Sequence, residues 1–178
     1  MNYAEPPRVY VGTYRRYNEG SLHGAWVDLE ECGDADTFWD LVKQVHSGEI
    51  GQTGEIEPMF QCWENIPDKF VSESHLSGNV WDQWVELDPE QRTIYGLYLD
   101  HVDTSGDWER AEESFCGQFD SELDFAYDHW DQTGMLDLIP VGYRNYIDYE
   151  SWLRDAKIEW VTFCRHSDGH VYAFDHNV

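Results

Sequence analysis

The chain has 178 residues, with 36 Asp and Glu against 11 Lys and Arg, a formal net charge of -25 and a sequence pI of about 4.3. That balance excludes ordinary nucleic-acid binding, which needs a basic footprint, and opposes docking on an anionic membrane. Hydrophobic residues at 41% and aromatics at 16% supply enough apolar surface for packed cores, so global disorder is excluded as well.

Val9 to Tyr14 (VYVGTY) is β-branched and aromatic and predicts a strand. Asn18-Glu-Gly20 marks a turn, and Ala25 to Leu29 alternates as a second strand. Asp34 or Asp36 caps a helix carrying Phe38, Leu41, Val42 and Val45, closed by Gly48. Residues 48–57 have the composition of a mobile loop, and Met59 to Trp63 is a third strand. Ser72 to His75 reads as a helix start leading through Val80, Trp81, Trp84, Val85 and Leu87. Asp88 and Pro89 open the next helix, which runs through Ile94, Leu97 and Tyr98 to about Val102. Two more helices are expected near 107–118 and 120–132, and another from about Asp148 to Ile158. Trp160 to Cys164 and Val171 to Phe174 form a hairpin around His-Ser-Asp-Gly-His. The expected class is α+β: an elongated chain of three small domains, 1–66, 67–106 and 107–178, with a helical middle and small antiparallel sheets at both ends.

The charge is concentrated. Between Tyr17 and Tyr143 the only Lys and Arg are Lys43, Lys69, Arg92 and Arg110, against 29 Asp and Glu. Residues 99–138 hold Asp100, Asp103, Asp107, Glu109, Glu112, Glu113, Asp120, Glu122, Asp124, Asp128, Asp131 and Asp137. Phe119, Leu123, Ala126 and Trp130 recur at helical spacing as an apolar stripe, with Asp120, Asp124, Asp128 and Asp131 beside them as a carboxylate rail. Like charges at i,i+4 destabilise a helix, so another gain must favour the pattern. Crowding on such a rail is expected to raise carboxylate pKa values.

Acid pairs flanked by Trp and Tyr also suit a carbohydrate-active enzyme or a lectin, but acids lie on nearly every polar face and no pair stands apart. Asp103 to Glu109 has its glycine misplaced for a calcium loop. Cys164, His166 and His170 meet across the predicted hairpin but lack a visible fourth ligand. Cys32, Cys62, Cys116 and Cys164 form no CxxC pair, and the N-terminus lacks the apolar run of a signal peptide, so a reducing cytoplasmic setting is expected. A salt-adapted protein is also acid-rich and lysine-poor, but its acidity would not spare the two ends of the chain.

VYVGTYRRYNEGSLHGAWVDL at 9–29 resembles the opening of the ArdA antirestriction proteins. The resemblance continues through MFQCWENIP, SESH, FCGQFDSELDFAYDHWDQTGMLDLIP and YIDYESWLRDAKIEWVTF to DGHVY. MLDLIPVGYRNYID at 135–148 is similar to that family's short antirestriction motif, with Ile147 where the motif has Phe. The resemblance implies a non-enzymatic DNA mimic of a host cell's cytoplasm, carried by mobile elements, whose carboxylates occupy the DNA cleft of type I restriction-modification enzymes. It implies no cofactor, no metal, no nucleic acid or membrane partner, and a homodimer through the C-terminal region. The expected partner-binding acids are those of 100–137 together with Asp82, Glu86, Asp88 and Glu90. The expected dimer contacts are Phe125, Tyr127, Leu138, Ile139, Tyr143, Tyr146 and Tyr149.

Overall fold

The computed structural model describes residues 2–49 and 56–178, and most of the loop expected at 48–57 lies outside the described residues. The chain divides into two compact units, 1–96 and 97–178. The boundaries expected near 66 and 106 fall inside these units.

In the first unit, β1 (Arg8–Thr13) turns through a short helix α1 (Tyr14–Asn18) to β2 (Ala25–Asp28), the helix α2 (Leu29–Cys32) and the longer helix α3 (Ala35–Val45). Then comes β3 (Pro58–Glu64), and the sheet order is β2-β1-β3, antiparallel throughout. Strand alternation sends Val9 and Val11 inward, where both are buried. Tyr10 faces outward between Trp26 and Cys62, and a bulge follows at Tyr10/Val11. Asp34 caps α3 by accepting from the Thr37 amide at 2.7 Å. The helix delivers Phe38 and Val42 to the core, with the Phe38 ring stacked 6.4 Å from Phe60.

The helix expected from Ser72 is absent. Val71–Ser72 (β4) and His75–Leu76 (β5) pair as a tight hairpin, with a single π-helical turn at Trp81–Val85. Tertiary anchoring overrides the local helical pattern. The Trp81 indole donates to the Leu29 carbonyl at 3.1 Å and the Trp84 indole to that of Asn65 at 3.0 Å, fixing 81–85 against the first 65 residues. Helix α4 (Pro89–His101) begins as expected. The Gln91 amide donates to the Asp88 carboxylate at 2.9 Å and the Gln91 side chain accepts from the Asp88 amide at 3.0 Å, a reciprocal capping box.

The second unit contains α5 (Trp108–Ser114), β6 (Phe115–Phe119), α6 (Glu122–Gln132), two 3-10 turns at Met135–Leu138 and Val141–Tyr146, α7 (Tyr149–Glu159), β7 (Val161–Arg165) and β8 (Val171–Asp175). Its sheet is antiparallel in the order β6-β8-β7. Residues 115–119, the first four of them expected as the end of a helix near 107–118, are a strand because they pair with β8 more than fifty residues onward. Gly117, at φ 132, is the interruption that a helix would not place there. α6 and α7 lay Phe125, Ala126, Leu153 and Ala156 on Val161 and Ala173, ringed by Phe119, Leu123, Tyr149, Trp152, Trp160 and Phe163. The expected α+β class with small antiparallel sheets therefore holds. Among the described residues, no helix is long and apolar enough to cross a membrane.

Candidate partner-binding surface

The Ser121 hydroxyl opens α6, accepting from the Asp124 amide at 3.2 Å and donating to its carboxylate at 2.5 Å. The helix then presents Asp124, Asp128 and Asp131 at i, i+4 and i+7, all exposed. Asp120, the fourth member of the expected rail, precedes the helix. It is exposed, 3.5 Å from the Nε2 of His170 on the opposite hairpin. Glu122 is half-buried and ion-paired to Lys157, and the Lys157 Nζ lies 5.4 Å from the Phe163 ring.

Asp107 caps α5 through the Arg110 amide at 3.0 Å, and Glu109, Glu112 and Glu113 are exposed along that helix. The Arg110 guanidinium donates to the Val178 carbonyl at 3.1 Å. Asp103 is half-buried, accepting from the Ser105 amide at 2.9 Å and hydroxyl at 2.7 Å. Asp100 and Asp137 are exposed, with the Arg144 guanidinium 3.5 Å from Asp137. In the first unit Asp82, Glu86, Asp88 and Glu90 are exposed on and after the π-helical turn. Of the sixteen expected acids, all but Asp103 and Glu122 are thus exposed.

Crowding is expected to raise carboxylate pKa values, but where one is displaced among the described residues it is displaced downward. Hydrogen bonds to the charged form are the reason. Asp34 is held low by the Thr37 amide and hydroxyl, Asp103 by the Ser105 hydroxyl and amide, and Asp148 by the Ser151 amide and hydroxyl. At Asp168 partial burial pushes upward, and hydrogen bonds from the His170 amide, the His166 ring and Tyr172 outweigh it.

The apolar side of this unit is equally marked. Leu138 is 82% exposed, Val141 77%, Tyr143 67% and Tyr146 83%. These residues lie on the two 3-10 turns, braced by the Arg144 Nε donating to the Ile139 carbonyl at 3.1 Å. Tyr127 is exposed, with its ring edge-on to half-buried Tyr149 at 4.7 Å. Phe125 does not belong with them. At 2% exposure it sits in the core with Trp152, Trp160, Phe119 and Phe163 around its ring, so it cannot meet a second chain. Val141 was not singled out from the sequence, although its neighbours in the same apolar run were.

Cys164 and the two histidines of the hairpin keep different company. Cys164 is buried, and burial pushes its thiol up to about 12, with the Asp100 charge adding to the effect. His166 and His170 instead flank Asp168, at 3.3 and 3.4 Å. No group of three or more His, Cys, Asp or Glu among the described residues is arranged to hold a metal ion.

No curated protein matches the chain at a significant level. The family model described as antirestriction protein (ArdA) matches residues 9–170, nearly the whole length. The chain therefore belongs to the ArdA family of antirestriction proteins.

Proposed function

We propose that the protein is a non-catalytic DNA mimic that occupies the DNA-binding cleft of a type I restriction-modification enzyme and so protects incoming mobile-element DNA. Membership of an antirestriction family supplies the target class. The observation that carries the reading is the exposure of Glu109, Glu112 and Glu113 on α5, of Asp124, Asp128 and Asp131 on α6, and of the acids of the Asp82 to Glu90 segment. Duplex DNA carries one negative charge per ~1.7 Å of axis, and its binding proteins gain affinity by neutralising that charge. Carboxylates held on rigid helices offer a basic cleft the same attraction. No side chain has to react, so no catalytic residue, cofactor or metal is required.

The exposed turn residues Leu138, Tyr143 and Tyr146, with exposed Tyr127 and half-buried Ile139 and Tyr149, then serve a two-fold homodimer contact. Light scattering at tens of micromolar tests it, and a monomer there would remove the dimer from the proposal. The binding claim is tested by capture of a type I methyltransferase core followed by challenge with duplex DNA. Specific and non-specific duplexes should displace the protein alike, because phosphate-like charge carries no base sequence. Binding should also weaken steeply with added salt. Inhibition uncompetitive with DNA would refute occlusion.

A further inference from the structure

The first unit's sheet, β2-β1-β3, has an outer face away from the core. The β1 alternation and the strand register place Tyr10, Trp26 and Cys62 side by side on it. A groove of about 600 Å³ lies over this face, lined by Tyr10, Tyr17, Met59, Cys62, Trp63 and Glu73 among others. Met59 is buried, Tyr10 and Trp63 are half-buried, and Tyr17 and Glu73 are exposed. The Tyr10 hydroxyl is committed to the Leu22 carbonyl at 3.0 Å, which fixes its ring. The Glu73 carboxylate is held by the Tyr14 hydroxyl. The groove thus combines several aromatic rings with one carboxylate, and its described lining contains no Lys or Arg.

We infer that this groove receives a cationic side chain, an arginine or lysine, of the restriction enzyme. The inference rests on the occlusion reading and names chemistry that reading leaves open. Ring faces carry negative potential and attract guanidinium and ammonium groups, and a carboxylate adds a full charge. An anionic ligand would be opposed by Glu73 and by the net charge of -25. A purely apolar ligand would strip water from Glu73 without replacing its hydrogen bonds. The same sheet face already holds one guanidinium in this way. Arg8 stands 4.9 Å over the Trp26 ring while its Nε donates to Glu64 at 2.7 Å. On α1, Arg15 is engaged by Glu19 at 3.2 Å. A DNA-binding cleft is lined by Arg and Lys of necessity, so such a side chain is available to enter.

The probe is N-acetyl-arginine-methylamide titrated into the full chain, with its neutral citrulline counterpart as control, read by NMR of the aromatic rings. The arginine compound should shift the Tyr10, Tyr17 and Trp63 resonances, citrulline should not, and Glu73→Gln should suppress the shifts. Equal responses to citrulline, or shifts indifferent to Glu73→Gln, would overturn the inference. Against the methyltransferase core, Tyr17→Ala should bind about two- to fivefold more weakly, the range of a single exposed cation–π contact. Tyr17 is exposed, so its truncation spares the core. If Tyr17→Ala and Glu73→Gln bind the core as tightly as wild type, the groove is refuted and occlusion stands. If wild type does not bind the core at all, occlusion is refuted, and with it the enzyme as the source of the cation.

Discussion

Helices α4 and α6 are close in length, 13 and 11 residues, and treat charge in opposite ways. From Arg92 to Leu99 every residue of α4 is buried. Tyr95 packs on Phe70 and Trp84, Gly96 meets Tyr3, and Tyr98 packs on Phe174. The one cation in that run, Arg92, places Nη2 on Glu30 at 2.6 Å, and the acids Glu90 and Asp100 are confined to the exposed ends. On α6 only Phe125 and Ala126 are buried, and Asp124, Asp128 and Asp131 occupy the free side. A covered helix must pair its charges because burial without a partner costs several kcal/mol. A helix with one solvated side can carry uncompensated carboxylates at the expense of a few tenths of a kcal/mol per repulsive pair. The charge therefore sits where packing leaves room for it.

The sharpest way to break this comparison is at the core of α6. Phe125→Ala should cost about 3–5 kcal/mol, because the ring is buried and its neighbours cannot collapse fully into the space. Asp128→Ala, three residues along on the solvated side, should change stability by less than about 0.5 kcal/mol. Chemical denaturation of the two variants measures the gap, and similar losses would deny that α6 has one structural and one free side.

Gly96→Ala tests the covered helix. Ala is the better helix former by about 1 kcal/mol, so an open site would gain stability. Here the added Cβ would stand 2.1 Å from the Tyr3 ring. Tyr3 is buried and edge-on to Trp84 at 5.3 Å, so it cannot step aside cheaply. Overpacking should win, leaving a net loss of about 1–2 kcal/mol. A higher melting temperature for the variant would show that Tyr3 is looser than its burial implies.

These two helices also mark what the sequence made legible. Several helix starts were legible because a cap depends only on the next three residues: Asp88 and Asp148 stood out, and the cap of α3 was narrowed to Asp34 or Asp36, of which Asp34 makes the contact. The strands of the first sheet and the last hairpin were legible for the same reason. Residues 115–119 and 71–85 were misread because their structure is decided elsewhere, by β8 for the first and by the carbonyls of Leu29 and Asn65 for the second. The stripe of α6 was placed one step off. Phe119 lies in a strand and Phe125 takes the central buried position, which moved it from the expected dimer surface to the core. The acid surface itself was legible, since burying so many unpaired carboxylates was never affordable.

Acid should loosen the underside of α6 before it touches the caps. His129 stands 5.1 Å from Trp152 and 5.0 Å from Trp160, and burial holds its pKa below the ordinary histidine value. The unfolded chain then binds the extra proton first. Stability is fully present above the unfolded pKa near 6.5 and is lost as pH falls from there through the lowered folded value. The caps Asp34 and Asp148 and the turn residue Asp103 are also lowered, so their contribution is present above the unfolded pKa near 3.9 and is lost only below it. Melting curves between pH 7 and pH 5 should therefore fall less in His129→Phe than in wild type. An unchanged slope would mean that the imidazole is hydrated in its aromatic surroundings.

The smallest effect expected of any single change belongs to the solvated side of α6, and its smallness distinguishes mimicry from catalysis. An active site depends on a few groups, so one well-placed Asp→Asn removes orders of magnitude of activity. A mimic spreads its attraction over many exposed carboxylates, each contributing about 0.2–1 kcal/mol, comparable to a surface ion pair. Asp120→Asn, Asp124→Asn, Asp128→Asn and Asp131→Asn should each leave binding to a methyltransferase core nearly unchanged. The quadruple variant should bind more weakly by roughly the sum of the four, since each side chain is exposed and none shares a partner with another. Its thermal stability should hold or rise, because repulsion between Asp124, Asp128 and Asp131 is relieved. One change should depart slightly from this stability pattern: Asp124→Asn also alters the N-cap contact with Ser121 and replaces an acid in the first helical turn. Reversal to Lys at the same four sites should weaken binding further than neutralisation, because each site then repels the basic cleft. A single substitution within 100–137 that abolished antirestriction in a folded protein would contradict distributed charge and point to a discrete site there.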